Sequence, residues 1–187
     1  MGPTAEPSDE SLFAAYCGGD VAAFEVLFRR YQGPLGRHLD RMLNDQATAE
    51  ELVVETFARL HTHRGRFYPG AAVRPWVYSI ARNLARKQYR RDRLVRWSPL
   101  EAAELRAARP SSTSPAEVAH RVTAALAALP APQREACSLR LFGELTLEEI
   151  ASVTGASLGT VKSRLFYGQR RLRELLADMD PGSGDTT

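Results

Sequence analysis

Cysteine is scarce in this chain: Cys17 and Cys137, 120 positions apart, are the only two among 187 residues. Two thiols so widely spaced, in segments of helical pattern, make neither a disulfide framework nor a zinc motif. Both are expected as small buried side chains in a reducing, cytoplasmic setting. Long apolar runs are missing too. No stretch approaches the ~20 consecutive apolar residues that a membrane-spanning helix needs, and the opening MGPTAEPSDE lacks the order of a signal peptide. Met1-Gly2 has neither Ser nor Thr at the sixth position, so N-myristoylation is not indicated.

The usual signatures of chemistry are also lacking. There is no nucleophile with a matching base and no glycine loop shaped for phosphates. Glu51, Glu55, His61 and His63 come nearest to a metal set. Carboxylate di-metal bundles use Glu-x-x-His on each of two helices, and that spacing occurs only once, at Glu117-x-x-His120, outside this set. These absences favour a binding protein over an enzyme, with no cofactor, no metal and no catalytic residue. A small helical enzyme built on the Glu/His cluster is the weakest of the competing readings.

What is present is charge, unevenly placed. The net charge is only +3. Residues 1–60 carry 5 basic and 10 acidic side chains, residues 61–98 carry 10 basic and one acidic, and residues 99–187 carry 10 and 11. Within that last stretch, Lys162 to Arg173 contributes five cations. Two basic patches on an otherwise acidic chain suit a protein that grips a polyanion at two places.

Apolar spacing is helical throughout. Phe24, Leu27, Phe28, Tyr31 and Leu35 form one stripe after a break at Gly18-Gly19-Asp20, where Asp20 is the expected cap. Gly33-Pro34 could interrupt that helix. Thr48-x-x-Glu51 has the form of a capping box opening a helix through His61, with Leu52, Val53, Thr56, Phe57 and Leu60 inward. The loop 64–75, rich in Gly, Pro and Arg, holds Phe67 and Tyr68. The helix after it buries Val77, Ile80, Ala81 and Leu84 and turns Arg82, Asn83, Arg86, Lys87, Arg90 and Arg91 outward. Rings interleaved with cations are the ingredients for single-stranded nucleic acid, where bases stack and arginines track phosphates. Residues 92–115 read as a linker, with a short helical piece around 99–108. Ser114-Pro115-x-Glu117 opens a helix with Val118, Val122, Leu126 and Leu129 inward, and the next helix carries Leu139, Leu141 and Phe142.

Thr146 to Leu176 has the form of a helix-turn-helix. Thr146-x-x-Glu149 is a capping box, Gly155 suits a left-handed stop, and Ser157 can cap the second helix. That helix buries Val161, Leu165, Leu172 and Leu176 beside Gly168. Its opposite face carries Lys162, Ser163, Phe166, Tyr167, Arg170 and Arg173. Two aromatics among cations on a water-facing surface indicate a contact face.

The order of these segments resembles the extracytoplasmic-function (ECF) group of the bacterial sigma-70 family. Asp20-x-x-x-Phe24-x-x-x-Phe28-x-x-Tyr31, Ala49-Glu50-Glu51-Leu52-Val53-x-Glu55-Thr56-Phe57 and Trp76-x-Tyr78-x-Ile80-Ala81-Arg82-Asn83-Leu84-Ala85 look like region 2 of that family. Leu129-Pro130-x-x-Gln133-Arg134, Leu147-x-Glu149-Ile150-Ala151 and Gly159-Thr160-Val161-Lys162-Ser163-Arg164-Leu165 look like region 4. The resemblance implies an all-α fold of two small helical domains joined by a flexible linker. The expected divisions are a disordered lead at 1–8, region 2 at 9–91, a linker at 92–115, region 4 at 116–178 and a disordered tail at 179–187.

It also implies a sigma factor that binds RNA polymerase core and directs promoter-specific initiation. Glu51, Leu52, Glu55 and Phe57 stand where the family docks the beta-prime coiled coil, with Glu51 and Val54 replacing the usual Asp and Gln. Phe67, Asn83, Arg82, Arg86, Lys87 and Arg90 would engage the melted −10 strand, and Lys162, Ser163, Phe166, Tyr167 and Arg170 the −35 duplex. Tyr167 replaces a frequent Arg. The expected partners are polymerase core through its beta-prime and beta subunits, duplex and single-stranded promoter DNA and, as often in the family, an anti-sigma factor. No membrane insertion is expected, and the location would be cytoplasmic, at the nucleoid when in holoenzyme. A DNA-binding regulator of another class, with residues 1–91 for dimerisation or sensing, is the alternative.

Overall fold

In the computed structural model, which describes residues 6–68, 70–95 and 115–177, the chain is all-α. Four helices fill the first part: α1 (Asp9–Cys17), α2 (Val21–Leu43), α3 (Gln46–Thr62) and α4 (Val73–Val95). Four follow: α5 (Pro115–Ala127), α6 (Ala131–Leu141), α7 (Leu147–Thr154) and α8 (Leu158–Leu176). The helical piece expected near 99–108, the Ser114 cap, residues 1–5 of the lead and the tail from 178 lie outside the described residues. Glu6 to Ser8 are described: Ser8 caps α1, and the Pro7 carbonyl accepts from Arg30 at 3.1 Å.

Local chemistry explains most boundaries. Asp20 caps α2, its Oδ1 accepting from the Ala22 and Ala23 amides at 2.9 and 3.2 Å. Helix α2 continues through Gly33-Pro34 without a break and ends at Asn44 in the left-handed region. Helix α3 begins two residues before the expected Thr48. Asp45 is its cap, accepting from the Thr48 amide at 3.1 Å and the Thr48 hydroxyl at 2.7 Å, so Thr48 serves as a donor inside the first turn. Helix α4 runs to Val95, four residues past the expected end of the first domain.

The first four helices bury Phe13, Leu27, Tyr31, Leu35, Leu39, Leu60 and Tyr78. Asp9 is buried as well, accepting hydrogen bonds from Arg30 and from the Tyr31 hydroxyl. Burial, and then that carboxylate, hold the Tyr31 phenol far above its ordinary range. The last four helices bury Leu126, Leu129, Leu139, Ile150, Val161 and Leu165. Three apolar expectations fail. Cys17 is exposed, at the last turn of α1, while only Cys137 is buried, and both thiols are free. Val118 and Leu141 are exposed: α5 packs through its later residues Val122, Ala125 and Leu126, and α6 through Ala136 to Leu139.

The two helical clusters pack against each other, so their buried residues form one continuous core. Helix α4 lies along α7, and α2 meets α5 and α6. Gly143 allows this approach: a Cβ there would stand 3.0 Å from the Tyr78 ring and 2.7 Å from the Leu139 carbonyl. Arg41 stacks over Phe142 at 4.8 Å, and Arg82 pairs with Glu135.

Candidate nucleic-acid interface

The helix-turn-helix forms as its residues dictate. Thr146 and Glu149 complete a reciprocal capping box at 3.2 and 2.8 Å, Gly155 takes φ +67°, and Ser157 accepts from the Thr160 amide at 3.2 Å. Helix α8 then seats Val161, Leu165, Gly168 and Leu172 inward, with Leu176 half-buried. Lys162, Ser163, Phe166, Tyr167, Arg170 and Arg173 are all exposed on the other side, Phe166 and Tyr167 at 60% and 51%. The two rings meet edge to face at 5.3 Å, and the Arg170 guanidinium sits 5.8 Å from the Tyr167 centroid and 3.6 Å from Glu174. Ser163 donates its hydroxyl proton to the Gly159 carbonyl at 3.0 Å, which leaves oxygen lone pairs facing outward. The face offers cations, rings and acceptors on a rigid helix, a set suited to groove edges and phosphates.

The second basic surface is the turn Arg64–Arg66 with the loop after it and α4. Phe67 is half-buried, 4.8 Å from the Phe13 ring and 5.1 Å from Trp76. Next to it lies a cavity of about 370 Å³ lined by Arg66, Phe67, Tyr68, Trp76 and Ser79, with Ser152 of α7 at its wall. Asn83, Arg86, Lys87, Arg90 and Arg91 are exposed along α4. Arg82 is not. It turns toward the C-terminal cluster and donates to Glu135 of α6 at 2.6 Å through Nε, with side chains only 13% and 15% exposed. The outward Arg82 expected from the helical pattern is thus corrected: in this packing it is a cross-cluster ion pair. Tyr78 is in the core, Trp76 half-buried and Tyr89 exposed.

Between the clusters, Arg82, Arg86 and Arg90 of α4 face Arg134 and Arg164 across a groove of about 600 Å³, with Tyr89 at its edge. The sequence pattern marks α4 and α8 but not this meeting of both clusters. Its one available signal is Glu135, the sole carboxylate between Glu117 and Glu144.

On α3, Glu51 and Glu55 are exposed and Leu52 is half-buried, with Glu55 paired to Arg59 at 2.7 Å. Phe57 is 3% exposed, packed on Phe24 and Phe28 at 5.6 and 5.1 Å. As a contact residue for a partner it is corrected to a core anchor that orients α3, and Val54 is the apolar side chain turned outward. His61 hydrogen-bonds the Tyr16 hydroxyl rather than joining Glu51 and Glu55. Among the described residues no three His, Cys, Asp or Glu side chains gather as a metal set, and no helix is long and apolar enough to cross a membrane.

Comparison with known proteins agrees with this layout. Residues 27–95 match the family model Sigma-70 region 2, and residues 119–176 match Sigma-70, region 4. The RNA polymerase sigma factor CarQ of Myxococcus xanthus is 35% identical over 164 residues, covering 87% of this chain and 94% of that protein. The ECF RNA polymerase sigma factor SigM of Mycobacterium tuberculosis is 32% identical over 177 residues, covering 95% and 89%. Among solved structures, the sigma factor RpoE of Bartonella quintana, in complex with the anti-sigma factor NepR, superposes with a TM-score of 0.68 at 28% identity, over 82% of this chain and 96% of that one. CnrH, solved with the cytosolic domain of CnrY, gives a TM-score of 0.70 over 93% and 99%; at 23% identity it speaks for the fold alone.

Proposed function

The chain belongs to the ECF group of the sigma-70 family, a class of non-catalytic regulators, and from that premise we propose that it binds RNA polymerase core and directs it to promoters. Helix α8 enters the major groove of the −35 duplex through Lys162, Ser163, Phe166, Tyr167 and Arg170. Helix α4 and the loop before it hold the melted −10 strand through Phe67, Asn83, Arg82, Arg86, Lys87 and Arg90. The observation that carries the reading is the α8 face: five named side chains stand exposed opposite a buried stripe of Val161, Leu165, Gly168 and Leu172, on the second helix of a correctly capped helix-turn-helix.

The −10 half has a physical rationale. Unstacking a base costs a few kcal/mol, and stacking on an aromatic returns ~1–3 kcal/mol per base. The cavity beside Phe67 has the rings and the arginine for that exchange. Core attaches through the exposed acids Glu51 and Glu55 with Leu52, on a helix anchored from below by Phe57. Such a protein works in the bacterial cytoplasm.

The packing of the two clusters bears on regulation. With Arg82 on Glu135 and Ser152 at the wall of the Phe67 cavity, the −10 surface is partly covered by the C-terminal cluster. Promoter engagement at two sites then requires the clusters to separate. An anti-sigma factor, of the kind bound to the related RpoE structure, would act by holding them together. Run-off transcription with purified core, with and without the protein, tests the reading. Promoter-specific transcripts that depend on the protein support it; core that neither binds it nor changes its start sites overturns it and favours a stand-alone regulator.

A further inference from the structure

At the junction of the clusters lies a histidine that the promoter reading does not use. His38, on α2, is 0% exposed. Its Nδ1 and the Ser138 Oγ of α6 are 2.8 Å apart, a contact reaching across 100 residues of sequence. Its Nε2 is buried with no hydrogen-bond partner among the described residues. The Tyr78 ring of α4 stands edge-on at 5.5 Å. Among the described residues no carboxylate acts on the ring. The only carboxylate at this part of α6, Glu135, is taken by Arg82, and Arg82 is the charged group that acts on the ring from α4. Tyr78 and Cys137 are both held neutral by burial, the thiol pushed up to about 11. On α2 itself, Asp40 is paired with Arg41 at 2.9 Å, and Arg37 is exposed. The surroundings therefore accept a neutral imidazole and reject an imidazolium.

We propose that His38 is an acid-sensitive latch: neutral, it seals α2 and α4 against α6, and protonation of its ring releases the C-terminal cluster. Within a closed molecule the imidazolium would be a buried charge with its Nε2–H unmatched among the described residues and the Arg82 cation acting on it, an unfavourable state. Separation of the clusters exposes the ring to water and relieves that cost.

The direction follows from linkage. Burial, and then the Arg82 charge, lower the His38 pKa to about 3 in the closed form, while an exposed histidine titrates near ~6.5. Closure is thus fully supported above about pH 6.5 and loses support progressively as pH falls below it. Between pH 7.5 and 5.5 the open-to-closed ratio rises roughly tenfold, the Boltzmann factor of one proton bound only by the open form.

The test is a distance distribution on the full chain, spin-labelled at the exposed Cys17 of α1 and at Gln169→Cys on the exposed side of α8. The expected result is a roughly tenfold gain of the long-distance population from pH 7.5 to 5.5, with helicity by circular dichroism unchanged. His38→Gln should remain closed and lose the pH response. Ser138→Ala should open more at both pH values yet keep the same fold change. A wild-type ratio that does not move, or one that moves equally in His38→Gln, overturns the proposal. Should His38→Gln not fold, the imidazole resonances of the unsubstituted chain decide. Opening and His38 protonation must share one midpoint; an imidazolium formed without separation also overturns the latch. The consequence for promoters, that acid uncovers Arg82 and the Phe67 cavity, rests on the function proposed above. The distance measurement does not, so either can fail alone.

Discussion

Gly168 of α8 lies directly against Cys137 of α6: a Cβ built on the glycine would stand 2.6 Å from the cysteine sulfur. The contact joins α8 to the helix that also carries Ser138 and Glu135. It explains why a glycine sits in the middle of α8, where glycine ordinarily weakens a helix by ~1 kcal/mol relative to alanine.

Gly168→Ala is therefore expected to destabilise, against the helical trend. Overpacking costs about 1–3 kcal/mol, and the backbone of Gln133 leaves little room to shift. A net loss of ~1–2 kcal/mol lowers the melting temperature by roughly 2–8 °C for a chain of this size. Cys137→Ala removes the sulfur, so the double variant should recover the helical gain. Thermal denaturation of the four proteins closes the cycle; a Gly168→Ala protein more stable than wild type would show that the helices separate freely there.

The Arg82–Glu135 pair makes a second prediction. Both side chains are nearly buried, so removing Glu135 leaves a guanidinium in a poorly hydrated site, at a cost near ~3 kcal/mol. Glu135→Ala should lower the stability of cluster packing by about that amount and raise affinity for a single-stranded −10 oligonucleotide, because Arg82 becomes available. Arg82→Ala should lose packing and oligonucleotide affinity together. A double-mutant cycle with no coupling energy between the two would mean that the pair contributes nothing to closure.

The contrast between α8 and α4 shows what could be read in the sequence. Helix α8 has a strong local signal at its start, Ser157, and a period-3.6 stripe through it, so its buried and exposed faces follow from spacing alone. Glu149 and Gly155 likewise do locally what their positions require. Arg82 is different. Its place on the helical wheel is polar, and only the approach of α6, distant in sequence, turns it from solvent to an ion pair. His38 and Ser138 are invisible for the same reason: each is an ordinary polar residue until tertiary packing seals them together. Asp45 was missed for a local reason, since two good caps, Asp45 and Thr48, stand three residues apart and the carboxylate takes the outer position. Phe57 was legible both as an inward residue and as part of the docking motif, and burial leaves it the inward role.

For the proposed −35 face, charge gives the cleanest measurement. Lys162 is exposed, and Arg170 retains only loose contacts with Tyr167 and Glu174. Each phosphate neutralised contributes about −0.9 to the slope of log affinity against log salt. Lys162→Ala and Arg170→Ala should each weaken duplex binding and flatten that slope by about 0.9. Titration of a −35 duplex at several salt concentrations checks this; unchanged affinity and slope in both variants would remove these residues from the DNA contact.

Asn83 and Phe67 allow strand opening to be separated from folding. Asn83 is exposed on α4, so Asn83→Ala should leave stability within ~0.5 kcal/mol while reducing permanganate reactivity of −10 thymines in the complex with polymerase core. Phe67 is also part of the ring cluster with Phe13 and Trp76. Phe67→Ala should therefore reduce reactivity and, in addition, lower stability by roughly 1–3 kcal/mol, less than a fully buried phenylalanine would cost. Phe67→Leu distinguishes the two effects, because it keeps apolar volume against Phe13 but removes the flat face on which a base stacks. Stability near wild type with reactivity as low as in Phe67→Ala would assign the ring to the strand. Reactivity restored along with stability would make Phe67 a packing residue, and footprints of Asn83→Ala identical to wild type would take the asparagine out of −10 recognition.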